Sequence, residues 1–353
     1  MGHKVFIYAP HAPKYKDKGR NVFRFQSIKV IKKPEMRLAL PFFPKNNIGR
    51  IADFKLDIAH AHTPFSMGLL AKYIAENQKI PLVYTHHTHY PEYAKCYIKE
   101  KVITPFLAKL FSTWYSNSAD AVIAPSYKME RLLIEYGVRK PIHILPTGIN
   151  LNFFKKTKAA GLLIRKRLNI PKTSGVIIFV GRMGKEKNPE FLLESMAEIL
   201  KKRKDVILLM VGDGPYLKEF QKLSQNLKIQ NNVIFTRAIS HKEIPAYYQA
   251  SDAFVFASLT DTQGIVILEA MACGLPIVAL KDDAFKEMVI ENKNGFLVKK
   301  LSPKIFGEKV LLILNNSNLQ RKLSFSSKKI VKDFSELKQA KKLLSIYKSL
   351  IEN

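Results

Sequence analysis

Short apolar runs rich in β-branched residues alternate along the chain with longer segments in which apolar positions recur every three to four residues. The short runs predict the strands Lys4–Ala9, Ile58–Ala61, Leu82–Thr85, Ala121–Ala124, Ile142–Leu145, Val176–Val180, Ile207–Val211, Val233–Phe235, Ala253–Ala257 and Pro276–Ala279. Helical periodicity lies between them, in segments such as Glu190–Lys201 and Glu243–Ala250. Strands that are apolar throughout and are followed by helices are typical of parallel sheets covered on both faces.

This pattern occurs twice, in two halves of the chain. Residues 146–175 interrupt it with Pro146, Gly148, Pro171 and Gly175, so we place a hinge there. A chain of 353 residues that is 47% hydrophobic is long and apolar enough for two domains. The sequence therefore predicts an α/β protein with two parallel sheets.

A strongly basic charge balance changes this picture. The chain has 58 Lys and Arg against 29 Asp and Glu, a formal net charge of +29, and the excess is largest in residues 1–50. Such asymmetry favours a one-sided surface for a polyanion. Three interpretations stay open: an anionic membrane surface, lysines spread over solvated faces, and nucleic acid. We expect no nucleic acid, because the basic segment FRFQSIKVIKK offers only Phe23 and Phe25 as stacking platforms.

The compartment follows from what the sequence lacks. No apolar run approaches the roughly 18 residues that span a bilayer, and MGHKVFIYAP has no features of a signal peptide. Cys96 and Cys273 have no metal-ligand spacing and lie far apart in sequence. We expect a cytoplasmic protein that associates peripherally with the inner face of the cell membrane.

Small-residue turns follow three strands of the second half. These are residues 181–189 (GRMGKEKNP), residues 212–215 (GDGP) and the segment around Gly264. Ligands of open parallel sheets bind beyond the carboxyl ends of strands, and free N–H groups at a helix start attract phosphate. Together with the adjacent Arg and Lys, these turns favour a phosphate site, although each turn alone could be a structural βα loop.

Two carboxylates, Asp261 and Glu269, lie eight positions apart in an apolar segment. If a helix starts near Gly264, Glu269 lies in its second turn and Asp261 precedes it, so both can face one ligand. A buried carboxylate needs hydrogen-bond donors, and sugar hydroxyls would serve. The alternative is that Glu269 pairs with a basic side chain from the other half.

These residues carry a resemblance. Asp261, Glu269 and the following AMACGLPIVA resemble the E-x7-E signature of the retaining family 4 glycosyltransferases, and GRMGKEKN, VGDGP, ASDAFVFASLTDTQG and NGFLV follow the family's order. HAHTPFSMG, THHTHYPEY and PTGIN do so in the first half. The resemblance implies a GT-B fold of two facing Rossmann-like domains. We expect an acceptor domain over residues 1–147, a nucleotide-sugar domain over 148–334, and a C-terminal helix over 335–353 that returns toward the first domain.

The resemblance also implies the roles of individual residues. Glu269 would hold the ribose hydroxyls, and Arg182 and Lys187 would neutralise the diphosphate beside the turns at Gly181 and Gly212. Asp261 would hold hydroxyls of the transferred sugar, His87 would lie near that sugar, and His86 occupies a variable position. The implied backbone donors are Gln263, Gly264 and Ile265. No metal is implied, since fixed cations and N–H groups stabilise the departing diphosphate.

Four departures from the family pattern are present. MGHKVFIYAP resembles the family's second strand, so we expect the first strand, its glycine-rich loop and the first helix to be absent from the acceptor domain. Asp261 replaces a Glu, Asn150 replaces an Asp, and Arg237 stands where the family commonly has Gly.

The acceptor is inferred from residues 95–120 and from TDTQG. On a helix, residues 95–120 would carry an apolar side and a basic side, the former with Phe106, Leu107, Leu110, Phe111, Trp114 and Tyr115 and the latter with Lys95, Lys99, Lys101 and Lys109. This suits a membrane interface, or else a core helix with one solvated face. TDTQG resembles the TETQG of diacylglycerol glucosyltransferases, which implies UDP-glucose as donor and 1,2-diacylglycerol as acceptor. The alternatives are mannosyl transfer from GDP-mannose to a phosphatidylinositol-type lipid or a surface polysaccharide, and a truncated, inactive nucleotide- or lipid-binding relative.

Overall fold

The computed structural model describes residues 1–11, 13, 17, 21–30, 33–41, 54–97, 102–155 and 158–352. The first half contains β1 (Ile7–Pro10), β2 (Val22–Phe25), β3 (Ser27–Val30), β4 (Lys33–Ala39), β5 (Ala59–Ala61), α1 (Ser66–Gln78), β6 (Leu82–Thr85), α2 (Tyr90–Tyr97), α3 (Ile103–Ser118), β7 (Ala121–Ala124), α4 (Tyr127–Glu135) and β8 (Ile142–Ile144). The second half contains α5 (Lys158–Arg167), β9 (Gly175–Val180), α6 (Pro189–Lys202), β10 (Val206–Val211), α7 (Leu217–Asn226), β11 (Val233–Phe235), α8 (Ile244–Gln249), β12 (Ala253–Phe256), α9 (Ile265–Ala272), β13 (Ile277–Leu280), β14 (Gly295–Val298), α10 (Pro303–Leu314), α11 (Ser317–Ile330) and α12 (Glu336–Ile351).

The second half is built on one six-stranded sheet in the order β11-β10-β9-β12-β13-β14, with every neighbouring pair parallel. This is the order of a doubly wound Rossmann sheet, in which the chain reverses direction across the sheet between the first and fourth strands. Those strands are β9 and β12, and every residue of both is buried. The reversal therefore opens a crevice beyond their carboxyl ends.

The first half contains a smaller parallel sheet in the order β5-β6-β7-β8. Two further pairs, the parallel β1–β2 and the antiparallel β3–β4, precede it in the chain. The prediction of two α/β halves with parallel sheets is confirmed. The sequence did not predict β2, β3, β4 or β14, since β2, β3 and β4 carry charged residues and the four-residue β14 begins with Gly.

The C-terminal helix α12 ends against the first sheet. Its apolar residues Leu343, Ile346, Tyr347 and Leu350 pack beside Val83, Ile123 and Leu145. The start of α12 is hydrogen-bonded to the segment that joins the two halves. Ile149 N donates to Phe334 O at 3.0 Å, and Glu336 N donates to Ile149 O at 3.1 Å. The backbone thus passes between the two halves twice, at the segment around Ile149 and again at the start of α12.

No helix in the described part of the chain combines the length and the apolar character that a bilayer crossing requires.

Candidate active site

Two loops of the second half meet at the crevice between β9 and β12. Residues 181–188 follow β9 and residues 258–264 follow β12, so both loops start at the same edge of the sheet. Ser258 Oγ and Thr260 Oγ1 donate to Glu186 O at 3.0 and 3.1 Å. These bonds join the loops into one surface, which carries most of the predicted site residues.

The glycine turns at Gly181 and Gly212 lie side by side on this surface. Gly212 adopts φ +140°, and a Cβ at this position would lie 1.9 Å from the carbonyl oxygen of Gly181. Gly181 N donates to Val211 O at 3.0 Å, which fixes the two turns relative to each other. A side chain at Gly212 would force them apart, so this close backbone approach requires glycine.

Gly264 precedes α9 with φ +74°, and a Cβ there would lie 2.8 Å from the ring of Phe285. The first N–H groups of α9, at Ile265 and Val266, have no acceptor within the helix, and together with the positive end of the helix dipole they make this end attractive to an anion. The side chain of Gln263 is already engaged, because it accepts from Thr147 N at 2.9 Å and donates to Thr147 O at 3.1 Å. The side chain of Gln263 thus anchors the loop to the first half. Its backbone N–H is the group that the family resemblance implies for ligand binding.

Lys187 and Asp261 form an ion pair in which Lys187 Nζ donates to Asp261 Oδ1. The Asp261 side chain is 15% exposed, and its second oxygen, Oδ2, is buried without a hydrogen-bond partner among the described residues. A buried carboxylate oxygen without a donor costs free energy, which a ligand hydroxyl would recover. Arg182 lies partly buried in the same loop as Lys187.

Glu269 lies in the second turn of α9 and accepts a hydrogen bond from the hydroxyl of Tyr248, 2.9 Å from its Oε2. Tyr248 is fully buried on α8. Burial raises the pKa of Glu269, and the Tyr248 hydroxyl opposes this rise because it stabilises the carboxylate. The partner of Glu269 is thus a neutral hydroxyl of its own half. Tyr248 was not predicted as a site residue, because its position on a short amphipathic helix is that of an ordinary core residue.

His87 brings the first half to the same crevice. It follows β6, and its carbonyl oxygen accepts from Thr262 Oγ1 at 2.8 Å. The loop is held from the other side by Ser126 Oγ, which donates to Thr262 O at 2.6 Å. By contrast, His86 is fully buried, and its Nε2 lies 2.6 Å from Ser112 Oγ, so it belongs to the core.

Helix α4 of the first half also contacts the second half. Lys128 Nζ donates to Leu259 O at 2.8 Å and pairs with Asp282 at 2.6 Å, and both side chains are mostly buried. Arg131 pairs with Asp283 next to it. These contacts hold the halves together beside the loop over residues 258–264.

Two of the departures from the family pattern have visible consequences. Arg237 adopts a left-handed conformation with φ +59°, and its carbonyl oxygen accepts from Gly212 N at 3.1 Å. The position therefore keeps the backbone that suits glycine, at a cost of about 1 kcal/mol. Asn150 Oδ1 accepts from Phe153 N at 3.1 Å and closes a local turn. Among the described residues, no cluster of His, Cys, Asp or Glu side chains is placed to hold a metal ion.

Two Rossmann-like sheets thus face one cleft. Glycine turns, cations and two carboxylates come from the second half, and a histidine comes from the first. This combination defines a nucleotide-sugar transferase of the GT-B type.

Comparison with known proteins agrees with this class. The family model for glycosyl transferases group 1 matches residues 162–330, and the model for glycosyltransferase family 4 matches residues 1–153. An alpha-monoglucosyldiacylglycerol synthase of Streptococcus pneumoniae is 34% identical over 87% of this chain and 68% of its own. One of Acholeplasma laidlawii is 30% identical over 100% of this chain and 90% of its own. The chain belongs to glycosyltransferase family 4, as its motifs predicted, and it is a hexosyltransferase.

Solved structures show the same fold. The Anabaena protein HepE, in complex with UDP-glucose, superimposes with a TM-score of 0.73 at 22% identity, over 83% of this chain and 79% of its own. Sucrose-phosphate synthase from Thermosynechococcus elongatus gives a TM-score of 0.74 at 21% identity, over 94% and 89%. The predicted GT-B fold is confirmed.

The pairing of Tyr248 with Glu269 generates a prediction about nucleotide binding. Tyr248→Phe should weaken UDP binding about fivefold, because one hydrogen bond to a charged group is worth about 1 kcal/mol or more. It should also raise the pKa of Glu269 further, so the pH below which UDP binding falls should move upward. Titration calorimetry across pH measures both effects.

Tyr247→Phe is the matched control. Tyr247 is buried on the same helix, but its hydroxyl accepts from Arg167 instead of reaching Glu269. Both variants should lose similar thermal stability, whereas Tyr247→Phe should keep the affinity for UDP. Equal affinity losses in the two variants would contradict a specific role of Tyr248.

The pairing of Lys187 with Asp261 generates a prediction about turnover. Lys187→Ala should lower kcat about 100-fold, by analogy with the loss of one transition-state donor. Lys185→Ala is the control, since Lys185 lies exposed in the same loop with its ammonium over the ring of Tyr216. Full activity of Lys187→Ala would show that the diphosphate is bound elsewhere.

Lengthening the carboxylate separates a ligand role of Asp261 from a structural one. Asp261→Glu should keep or raise kcat if the side chain reaches sugar hydroxyls. A purely structural Asp would instead lose thermal stability on lengthening, since short-range hydrogen-bond geometry does not tolerate an added methylene. Steady-state kinetics and the Tm of this variant distinguish the two.

Proposed function

We propose that this glycosyltransferase moves glucose from UDP-glucose to 1,2-diacylglycerol with retention of configuration at the sugar. The proposal is carried by Asp261 Oδ2, a buried acceptor that has no donor among the described residues and lies beside a cation and close to a helix start. A sugar nucleotide supplies both a hydroxyl and an anion at that spacing. The names of the two synthases support diacylglycerol as acceptor.

In this proposal each site residue has one task. Glu269 accepts the ribose hydroxyls through the oxygen that Tyr248 leaves open, and Lys187 and Arg182 stand at the diphosphate with the N-terminus of α9. Asp261 Oδ2 accepts from a hydroxyl of the sugar.

The chemistry then follows from charge development. The bond between the sugar C1 and the diphosphate oxygen breaks, and the acceptor hydroxyl oxygen forms its bond to C1 on the same face. The hydroxyl proton passes to the departing phosphate. Negative charge grows on the diphosphate, where fixed cations and N–H donors lower the barrier. His87 stands at the reacting sugar from the opposite half.

The acceptor side rests on the exposed face of α3. Phe106 and Trp114 are 58% and 50% exposed, and Leu107 and Leu110 are exposed beside them. Tyr115, which the sequence placed on the interface side, is instead fully buried, and its hydroxyl donates to Gly68 O at 2.7 Å. Lys99 and Lys101 lie outside the described residues.

This apolar face continues onto α1 and the residue before it. The rings of Phe65 and Phe111 are stacked with their centroids 5.8 Å apart, and Phe65, Leu69 and Tyr73 are exposed at spacings of four residues. We call Phe65, Leu69, Tyr73, Phe106, Leu107, Leu110 and Trp114 the apolar patch. An apolar patch on a chain of net charge +29 suits the anionic inner face of a cell membrane, where a diacylglycerol acceptor resides.

A donor and acceptor panel tests the activity. The purified protein should form glucosyl-diacylglycerol from UDP-glucose in vesicles that contain diacylglycerol and phosphatidylglycerol, and an α-specific glucosidase should cleave the product. Glu269→Ala should abolish the reaction. Transfer from GDP-mannose to phosphatidylinositol instead would replace both substrates of this proposal, and inactivity with UDP-glucose and diacylglycerol would contradict it.

A flotation assay tests the membrane surface. Binding to phosphatidylglycerol vesicles should exceed binding to neutral vesicles and should weaken as salt rises, since each well-placed Lys contributes about 1 kcal/mol that salt screens. Phe106→Ser with Trp114→Ser should remove the salt-resistant part of binding without lowering Tm, because these side chains are exposed.

The matched control changes exposed leucines on the second half. Leu162 and Leu163 are 57% and 68% exposed on α5. Leu162→Ser with Leu163→Ser should leave vesicle binding unchanged. Two results together would contradict a membrane acceptor. The Phe106 and Trp114 variant would unfold, and the parent would bind charged and neutral vesicles equally.

A further inference from the structure

His62 lies at the cleft directly after β5 and contacts the ring of His87. Its Nδ1 lies 2.9 Å from His87 Nε2, and the two ring planes are inclined by 20° with their centroids 5.2 Å apart. The distance is that of a hydrogen bond between imidazoles. The proposed function assigns His87 to the reacting sugar and gives His62 no task.

His60 supports His62 from the other side. Their rings are stacked with centroids 4.3 Å apart. Both nitrogens of His60 are engaged, Nε2 with Thr85 Oγ1 at 2.6 Å and Nδ1 with the hydroxyl of Tyr347 on α12. His60 therefore cannot rotate without losing two hydrogen bonds, and it gives His62 a fixed surface to stack on.

The protonation states of the three histidine rings determine which ring donates in the contact between His62 and His87. Burial, and then the neighbouring His62, lower the pKa of His87 to about 4, and burial lowers the pKa of His60 to about 3 and also lowers that of His62. All three rings are therefore neutral at pH 7. A neutral imidazole carries one proton, so one ring of the His62–His87 pair donates and the other accepts. The tautomers of the two rings are coupled.

We propose that His62 is a positioning residue that fixes the ring orientation of His87 and couples the tautomers of the two rings through the bond from Nδ1 to Nε2. This bond leaves Nδ1 of His87 as the ring atom available to the donor sugar, and it places the protons either on Nδ1 of both rings or on Nε2 of both rings. The partner on one ring nitrogen selects the tautomer at the other. The kinetic consequence rests on the proposed function, whereas the tautomer itself does not.

Three variants test this assignment. His62→Leu removes the partner of His87, and His62→Asn keeps an amide that can donate or accept near the position of Nδ1. His143→Leu is the control, since His143 lies in β8 of the same sheet outside the cluster. His62→Leu should lower kcat about 10-fold or more, His62→Asn should restore part of it, and His143→Leu should have no effect. UDP binding should stay unchanged in all three, because the predicted nucleotide contacts belong to the second half.

A spectroscopic measurement needs no substrate. Long-range correlations between ring nitrogens and ring protons distinguish the two neutral tautomers of histidine. In the parent, His62 and His87 should carry their ring protons on the same atom, Nδ1 in both or Nε2 in both, and His62→Leu should change the tautomer populations of His87. Lack of any donor activity in the parent would refute the proposed function, but the spectra would still decide the role of His62.

The assignment is overturned by either of two results. One is an unchanged tautomer distribution of His87 in His62→Leu, whatever the kinetics. The other is full kcat in His62→Leu although the tautomer distribution of His87 has changed. Loss of kcat in both His62 variants together with loss of UDP binding would indicate a structural role and would also overturn it.

Discussion

The site depends on one constraint: a carboxylate held away from water must have hydrogen-bond donors. Glu269 meets it through Tyr248, and Asp261 meets half of it through Lys187. The remaining oxygen of Asp261 is buried and has no hydrogen-bond partner among the described residues. The Rossmann strand order makes this arrangement possible, because it brings the loops after β9 and β12 to one edge of the sheet. The fold thereby places a carboxylate oxygen that can accept from a hydroxyl group next to a cation.

The loop over residues 258–264, which contains Asp261, also forms hydrogen bonds with the first half of the chain. Thr262 donates to the carbonyl of His87, and Gln263 holds both backbone groups of Thr147. Because Asp261 lies in the same loop, a ligand bound there is coupled to the contacts that close the cleft. Lys128 strengthens the closure from α4. In the proposed function, sugar recognition and domain closure would therefore share one short segment.

The C-terminal helix has a similar double role. Its apolar side packs on the first sheet, and Tyr347 reaches His60 at the base of the histidine cluster. The backbone crossing beside Ile149 fixes where the helix begins. The helix that packs on the first sheet thus contacts His60, whose ring lies against His62, the neighbour of His87.

Local patterns in the sequence were sufficient for the parallel architecture, the glycine turns and the family. Ala121–Ala124 coincides with β7, whose four residues are all buried, because a strand covered on both faces is apolar throughout. Tertiary structure alone brought Tyr248 to Glu269, His62 to His87 and Thr262 to His87, across 21, 25 and 175 residues respectively. It also decided that Tyr115 is core and Trp114 is surface, although both lie on one amphipathic helix. Periodicity shows that a helix has an apolar side, but only the neighbouring elements determine how much of that side they cover.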